Sequence, residues 1–208
     1  MKPILLLSLL SISLCQDYPN LGSTESLDFL TWNVQNYPKH SSTNSHLVEI
    51  IGDIDIDIIA FQEIENQNAF NNLINQLGEQ WSGYRADQSS WYGELSYVIN
   101  TQEIDVVSVY TILNQDEYYF AYRPPYVLEF IHRNVGYVMI NNHFKCCGDG
   151  ILDLNDSFDE EYRRLISSQL LEEYINDNYA DHRVIILGDL NDIITDNISN
   201  NVFWNFLQ

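Results

Sequence analysis

Four short apolar runs in this chain of 208 residues each end in side chains able to hold a charge or a proton. They close at Trp32-Asn33, Gln62-Glu63, Asn141-Asn142-His143 and Gly188-Asp189-Leu190-Asn191-Asp192. Strands are rigid supports, so polar groups leaving several strand ends can meet in one cleft while the apolar residues behind them fix their positions. That pattern requires strands in layers around a common core.

The rest of the sequence supplies the layers. Residues 27–32 read as a strand leading into a turn-like stretch, 33–38. Residues 44–52 read as a short helix, and 54–61, β-branched and partly alternating, as a strand entering the core. Over 66–80, Phe70, Leu73, Ile74 and Leu77 recur at helical spacing, with Gly78 as a stop. Strand signals then dominate at 95–99, 104–112, 126–132 and 135–142, with a break at Arg123-Pro124-Pro125. Residues 158–178 carry the clearest amphipathic pattern, through Leu165, Leu170, Leu171 and Ile175, and 183–187 is a strand ended by Gly188. No repeat or Pro- or Gly-rich linker divides this region, and 45% hydrophobic and 13% aromatic residues can fill one core. One α/β domain over residues 24–208 is expected.

The first residues read as an address. Lys2 precedes an apolar run from Ile4 to Leu14, broken only by serines, which is too short to span a bilayer but suits a secretory signal over 1–14. Cys15 stands where a bacterial lipoprotein is lipidated, although Leu14 is larger than the small residue usual there. A secreted or envelope-attached protein is the expectation, with membrane attachment through Cys15. Cys146 and Cys147 then remain as an adjacent pair. They could form a strained vicinal disulfide or be two small loop residues, and they make a poor zinc set. Nine basic side chains face 30 acidic ones, a formal charge of -21. Such a chain cannot assemble a basic stripe for DNA or an anionic membrane.

The strand ends offer carboxylates, amides and one imidazole. Hard divalent cations prefer oxygen ligands, and Mg²⁺ often uses only one or two carboxylates plus waters and substrate oxygens. In-line attack on a phosphodiester needs charge neutralisation, a positioned water and a proton donor for the leaving oxygen. Histidine suits the donor's part, with a neighbouring carboxylate expected to raise its pKa. A bound cation also explains how so acidic a chain could hold an anion.

Five stretches, TWNVQNY (31–37), AFQEIEN (60–66), YRPPY (122–126), NNHFKCCGDG (141–150) and LGDLND (187–192), occur in an order that resembles the endonuclease/exonuclease/phosphatase superfamily. That superfamily includes deoxyribonuclease I, apurinic endonucleases, neutral sphingomyelinases and inositol-phosphate 5-phosphatases. NHFKCCGDG looks closest to secreted bacterial members. The resemblance implies a four-layer α/β/β/α sandwich and a Mg²⁺-dependent phosphodiester hydrolase, with Mn²⁺ or Ca²⁺ as other candidate ions. DNA or RNA is the first substrate expected, and no protein partner is implied. Alternatives are a phospholipid or small-molecule phosphoesterase, or a catalytically impaired binding module. By the same resemblance Glu63 would bind the metal with Asn33 assisting. His143 would be the general acid or a hydrogen-bond donor to the phosphate. Asp189 would orient or activate the water, Asn191 would hold a phosphate oxygen, Arg123 would touch a phosphate, and Glu94 would orient His143.

Taken singly, each of these residues has an ordinary reading. Asn33 could cap the turn before Pro38, Glu63 could be a solvated carboxylate, and Asp189 after Gly188 is common turn chemistry. The runs Asp53/Asp55/Asp57 and Asp153/Asp156/Asp159 read as solvated faces. One departure from the superfamily stands out. Its members end in an Asp-His motif on a last strand, whereas the last histidine here is His182, ahead of GDLND. The resemblance therefore implies missing C-terminal strands, an apolar patch around Phe203, Trp204, Phe206 and Leu207, and weak activity at best.

Overall fold

The computed structural model describes residues 18–86 and 94–207, so the signal segment and Cys15 lie outside the described residues. Two four-stranded sheets form the centre. The first contains β1 (Phe29–Tyr37), β2 (Ile58–Ile64), β3 (Trp81–Arg85) and β4 (Glu94–Asn100), in the order β1-β2-β4-β3. The second contains β5 (Asp105–Thr111), β6 (Tyr126–His132), β7 (Val135–His143) and β8 (Val184–Asp189), in sequence order. Only β1/β2 and β7/β8 run parallel. A parallel pair needs a crossover, and a helix supplies it in both cases: α1 (Thr43–Asp53) and α3 (Glu160–Tyr179). A further helix, α2 (Gln67–Leu77), joins β2 to β3.

Side-chain alternation sorts the core into three layers. On β2, Ile59 and Phe61 pack outward against Leu47 and Ile51 of α1 and Phe70 and Leu73 of α2. Ile58 and Ala60 point the other way, to Leu128 and Met139 of the facing sheet. On β7, Val138 and Ile140 pack beneath Leu171 of α3 and against Val202 and Phe203. Strands buried on both faces read as continuous apolar runs, which is why β2 and β7 were visible in the sequence. The expected α/β/β/α sandwich is the fold.

Several expectations change in detail. The turn-like stretch after Trp32 belongs to β1, which runs on through a register shift to Tyr37. The strand expected from Ile54 begins at Ile58, because Ile54 closes α1 with an N–H donated to Ile50 O. Asp57 is buried rather than solvated and accepts the Asp28 backbone N–H at 2.8 Å, and burial raises its carboxyl pKa. Trp81–Arg85 forms β3, a strand the periodicity did not mark. The buried face of α3 is unusually polar, with Glu161, Arg163, Arg164, Ser167 and Ser168. At the C-terminal end Phe203 is buried and stacked on Phe144 at 6.0 Å, while Trp204 and Leu207 are exposed, so the expected apolar patch is smaller. Among the described residues no helix is long and apolar enough to cross a membrane.

Candidate active site

The parallel pairs β1/β2 and β7/β8 face one another across the sandwich, which brings the C-terminal ends of four strands to one place. Open α/β sheets commonly bind ligands outside such carboxyl ends. Local backbone irregularity then aims the side chains. Pairing of β1 with β2 shifts between Asn33 and Tyr37, and that of β2 with β4 between Phe61 and Ile64. Within these bulges Gln35, Asn36 and Glu63 take left-handed conformations, with φ of 40°, 53° and 65°. Each such residue costs about 1–3 kcal/mol, so the surroundings must enforce it. The outcome is a fixed Glu63 carboxylate, which accepts the Asn36 N–H at 2.8 Å on Oε2 and Asn33 Nδ2 at 2.9 Å on Oε1.

Asn33 Nδ2 also donates to Asp189 Oδ2 at 2.8 Å, so one amide nitrogen joins carboxylates from both sheets. Asn33 Oδ1 accepts the Gln35 N–H at 2.9 Å. Here the amide nitrogen clamps the two acids, while Oδ1 accepts one N–H and keeps a second lone pair. Asp189 ends β8 directly opposite His143, the last residue of β7. Their side chains approach to 3.9 Å between Nε2 and Oδ2. Gly188 makes this pairing feasible, since a Cβ there would lie 2.0 Å from Asn142 O. Asn191, left-handed at φ 54°, donates its backbone N–H to Asp189 Oδ1 at 3.2 Å and Nδ2 to Phe144 O at 3.1 Å. One amide N–H of Asn191 is therefore a loop tie; the same nitrogen carries a second.

The pKa of His143 moves opposite to the direction expected from a neighbouring carboxylate. Burial, and then the Arg123 guanidinium, push its imidazole down to about 4, against the opposing pull of Asp189 and Glu63. It is a neutral imidazole near pH 7. Arg123 reaches this position by donating Nε to His143 O at 3.2 Å and Nη2 to Phe144 O at 3.1 Å. Glu94 does not orient the ring: His143 Nδ1 is buried without a hydrogen-bond partner among the described residues. The Glu94 carboxylate instead lies 4.0 Å from Arg85 of the neighbouring strand β3.

Not every polar strand end enters the site. Gln62 donates to Asn141 Oδ1 at 2.8 Å, and Asn141 donates to Phe61 O and Ser96 O at 2.9 and 3.2 Å, binding the two sheets together below it. Asn142 is turned to the carbonyls of Ile140 and Leu187. The sequence reading also missed Arg164. It is 2% exposed and donates to Asp192 Oδ2, Lys145 O and Cys147 O at 2.7, 2.7 and 2.9 Å, with Glu161 Oε1 2.9 Å away. This guanidinium links the loops that follow β7 and β8. The Glu161/Arg164 spacing on α3 was the available signal. Cys146 and Cys147 are exposed free thiols.

Two carboxylates and an amide within one hydrogen-bonded group form an oxygen-rich donor set suited to a hard cation. Among the described residues no three His, Cys, Asp or Glu side chains form a ready-made cage, so any ion would take much of its shell from water and substrate.

D. rerio TDP2 complexed with a single strand DNA product shares the fold at a TM-score of 0.59 and 12% identity, over 79% of this chain and 60% of that one. An endonuclease/exonuclease/phosphatase family protein from Bacteroides thetaiotaomicron aligns at 0.62 and 16% identity, over 86% and 68%. The catalytic domain of human Nocturnin with a bound sulfate anion aligns at 0.57 and 15% identity, over 85% and 67%. This chain thus spans about three fifths of the length of the D. rerio TDP2 structures. No curated protein matches it in sequence. The sequence model of the Endonuclease/Exonuclease/phosphatase family matches residues 30–201. That match runs from the second residue of β1 to beyond β8 and leaves no part of the site outside it, and the chain belongs to this family of hydrolytic phosphoesterases and nucleases.

Proposed function

We propose that the chain is a divalent-cation-dependent phosphodiester hydrolase acting on nucleic acid, exported through its N-terminal segment and held at the envelope through Cys15. The observation that carries the catalytic reading is the Asn33 amide bridging Glu63 and Asp189 beside His143. Glu63 would hold the cation, Mg²⁺ by preference, which supplies charge neutralisation at the phosphate. Asp189, fixed by Asn33 and Asn191, orients the attacking water and takes its proton. A neutral His143 donates an Nε2–H hydrogen bond to a phosphate oxygen, and as the water oxygen bonds to phosphorus the P–O ester bond breaks, the leaving oxygen taking its proton from solvent water. This favours the donor role over that of a charged acid, because burial and then the Arg123 guanidinium push the imidazole down to about 4. Arg123 places positive charge next to the ring, where a phosphate anion would be drawn. The D. rerio TDP2 complex with single strand DNA product supports nucleic acid as substrate class.

A phospholipid is the second candidate substrate. Exposed Ile193, Ile194 and Ile198 follow β8, and Ile151, Leu154 and Phe158 follow β7, so apolar side chains flank the site as a phospholipid-handling enzyme would need. Turnover of bis-p-nitrophenyl phosphate, plasmid DNA and phospholipid vesicles with Mg²⁺ separates the readings. Glu63→Gln and His143→Ala are expected to lower turnover by about 10²-fold or more, the scale of losing one transition-state interaction. Unchanged rates in both variants would remove the catalytic assignment.

A further inference from the structure

Three of the chain's nine lysine and arginine side chains meet in one small cavity. Arg123, Lys145 and Arg163 line it with Ala121, Tyr122 and Cys146, around a volume of about 110 Å³. It lies beside the candidate active site. Lys145 stands two residues after His143, and Arg123 is the same guanidinium that holds the His143 and Phe144 carbonyls.

Arg163 is 8% exposed, and its Nε is buried with no hydrogen-bond partner among the described residues. Its Nη2 donates to Tyr118 O, and its guanidinium lies 4.2 Å above the Tyr118 ring. Lys145 Nζ donates to Cys146 O at 2.8 Å and stands 3.4 Å from Glu160 Oε1, and no carboxylate is among the described residues that line the cavity. A buried, charged N–H without an acceptor is costly, and an anion completes it. The cavity holds about the volume of three or four waters. That is room for a phosphoryl group. Tyr122, 42% exposed, forms part of the cavity wall, its ring edge-on to that of Tyr118.

We propose that this cavity is a second anion subsite. It seats a phosphate neighbouring the scissile one on a single nucleic-acid strand, with Tyr122 as a stacking face for the base between them. The inference rests on the phosphodiesterase reading and narrows its substrate. A small phosphodiester has one phosphate and leaves the subsite empty. The strongly acidic surface disfavours long duplexes and anionic bilayers, whereas a short single strand meets only the local positive charge.

Two substrates separate the sites. Bis-p-nitrophenyl phosphate reports the catalytic centre alone; a short single-stranded oligonucleotide reports both. In Lys145→Ala and Arg163→Gln the oligonucleotide KM rises on the order of tenfold, as expected for losing a phosphate contact, while bis-p-nitrophenyl phosphate kinetics stay at wild-type values. Binding of a fluorescein-labelled oligonucleotide in EDTA needs no turnover. There the affinity falls, and the plot of log affinity against log salt loses about one unit of slope in either variant. If Arg163→Gln fails to fold, Lys145→Glu decides alone. Equal losses on both substrates, or unchanged oligonucleotide binding, overturn the subsite. Capture of phosphatidylglycerol vesicles that depends on Lys145, or competition by inorganic phosphate as strong as by the oligonucleotide, also overturns the nucleic-acid assignment. A wild-type protein inert towards both substrates with Mg²⁺ defeats the phosphodiesterase reading, and the binding measurement still judges the subsite.

Discussion

His143 sits at the end of β7 with little solvent and a cationic neighbour, and its titration should be readable in the stability of the protein. An unfolded histidine titrates near 6.5, and this one titrates near 4 when folded. Between those values the unfolded chain carries a proton that the folded chain does not. Stability is therefore full above about pH 6.5 and falls as pH drops towards 4, by about 3 kcal/mol from this one group. Urea unfolding in EDTA, compared between wild type and His143→Gln across pH 4 to 7, isolates it because the other carboxyl groups cancel in the difference. A difference that stays flat over that window would mean the ring is solvated. At this scale the sequence was informative about identity and poor about surroundings. Glu63, His143 and Asp189 do converge, but Gln62 and Asn141, equally polar and one or two residues away, serve as ties between sheets. Alternation would have told Gln62 from Glu63 along a regular strand, whereas Asn141 and His143, two residues apart on β7, share a face and differ only in depth. The bulges at Asn33–Tyr37 and Phe61–Ile64 reset that alternation, and nothing in single-residue chemistry announces them. Glu94 was misplaced for a related reason: its partner Arg85 lies on β3, the strand that was not recognised.

Elements were more legible than side chains, since strand and helix patterns repeat over many residues. The helices at 43–53 and 67–77 and most strands match their apolar patterns to within a few residues. The exception in character is α3, read as amphipathic and found to bury charge. Its buried Arg164 is held between Glu161 and Asp192 while it bonds two loop carbonyls. A buried ion network of this kind is weak evidence for net stability, yet removing one member is costly. Arg164→Met is expected to destabilise by about 3–5 kcal/mol, because it leaves two buried carboxylates unpaired. Adding Glu161→Gln and Asp192→Asn should return part of that loss. Denaturant midpoints of the single and triple variants test this. The triple variant should still lose activity, since the loops that follow His143 and Asp189 no longer share an anchor. A triple variant with wild-type turnover would confine Arg164 to stability.

For the whole molecule the governing quantity is charge. Thirty acidic groups against nine basic ones repel one another in the folded state, and that repulsion is screened by any salt. Raising NaCl from 10 to 150 mM shortens the screening length from about 30 to 8 Å, so the melting temperature should rise without any specific binding. Cation binding at Glu63 adds to this in a different way. A ligand that binds only the folded state stabilises it by about 2.7 kcal/mol at one hundred times its Kd. At matched ionic strength, Mg²⁺ should therefore raise the melting temperature of the wild type beyond the NaCl effect. Glu63→Gln should keep the NaCl response and lose the Mg²⁺ excess, because the general repulsion is spread over the surface while the ion site depends on one carboxylate. If Mg²⁺ and NaCl act alike on the wild type at equal ionic strength, the pair of acids clamped by Asn33 is not a cation site, and phosphate binding would have to rest on Arg123, Lys145 and Arg163.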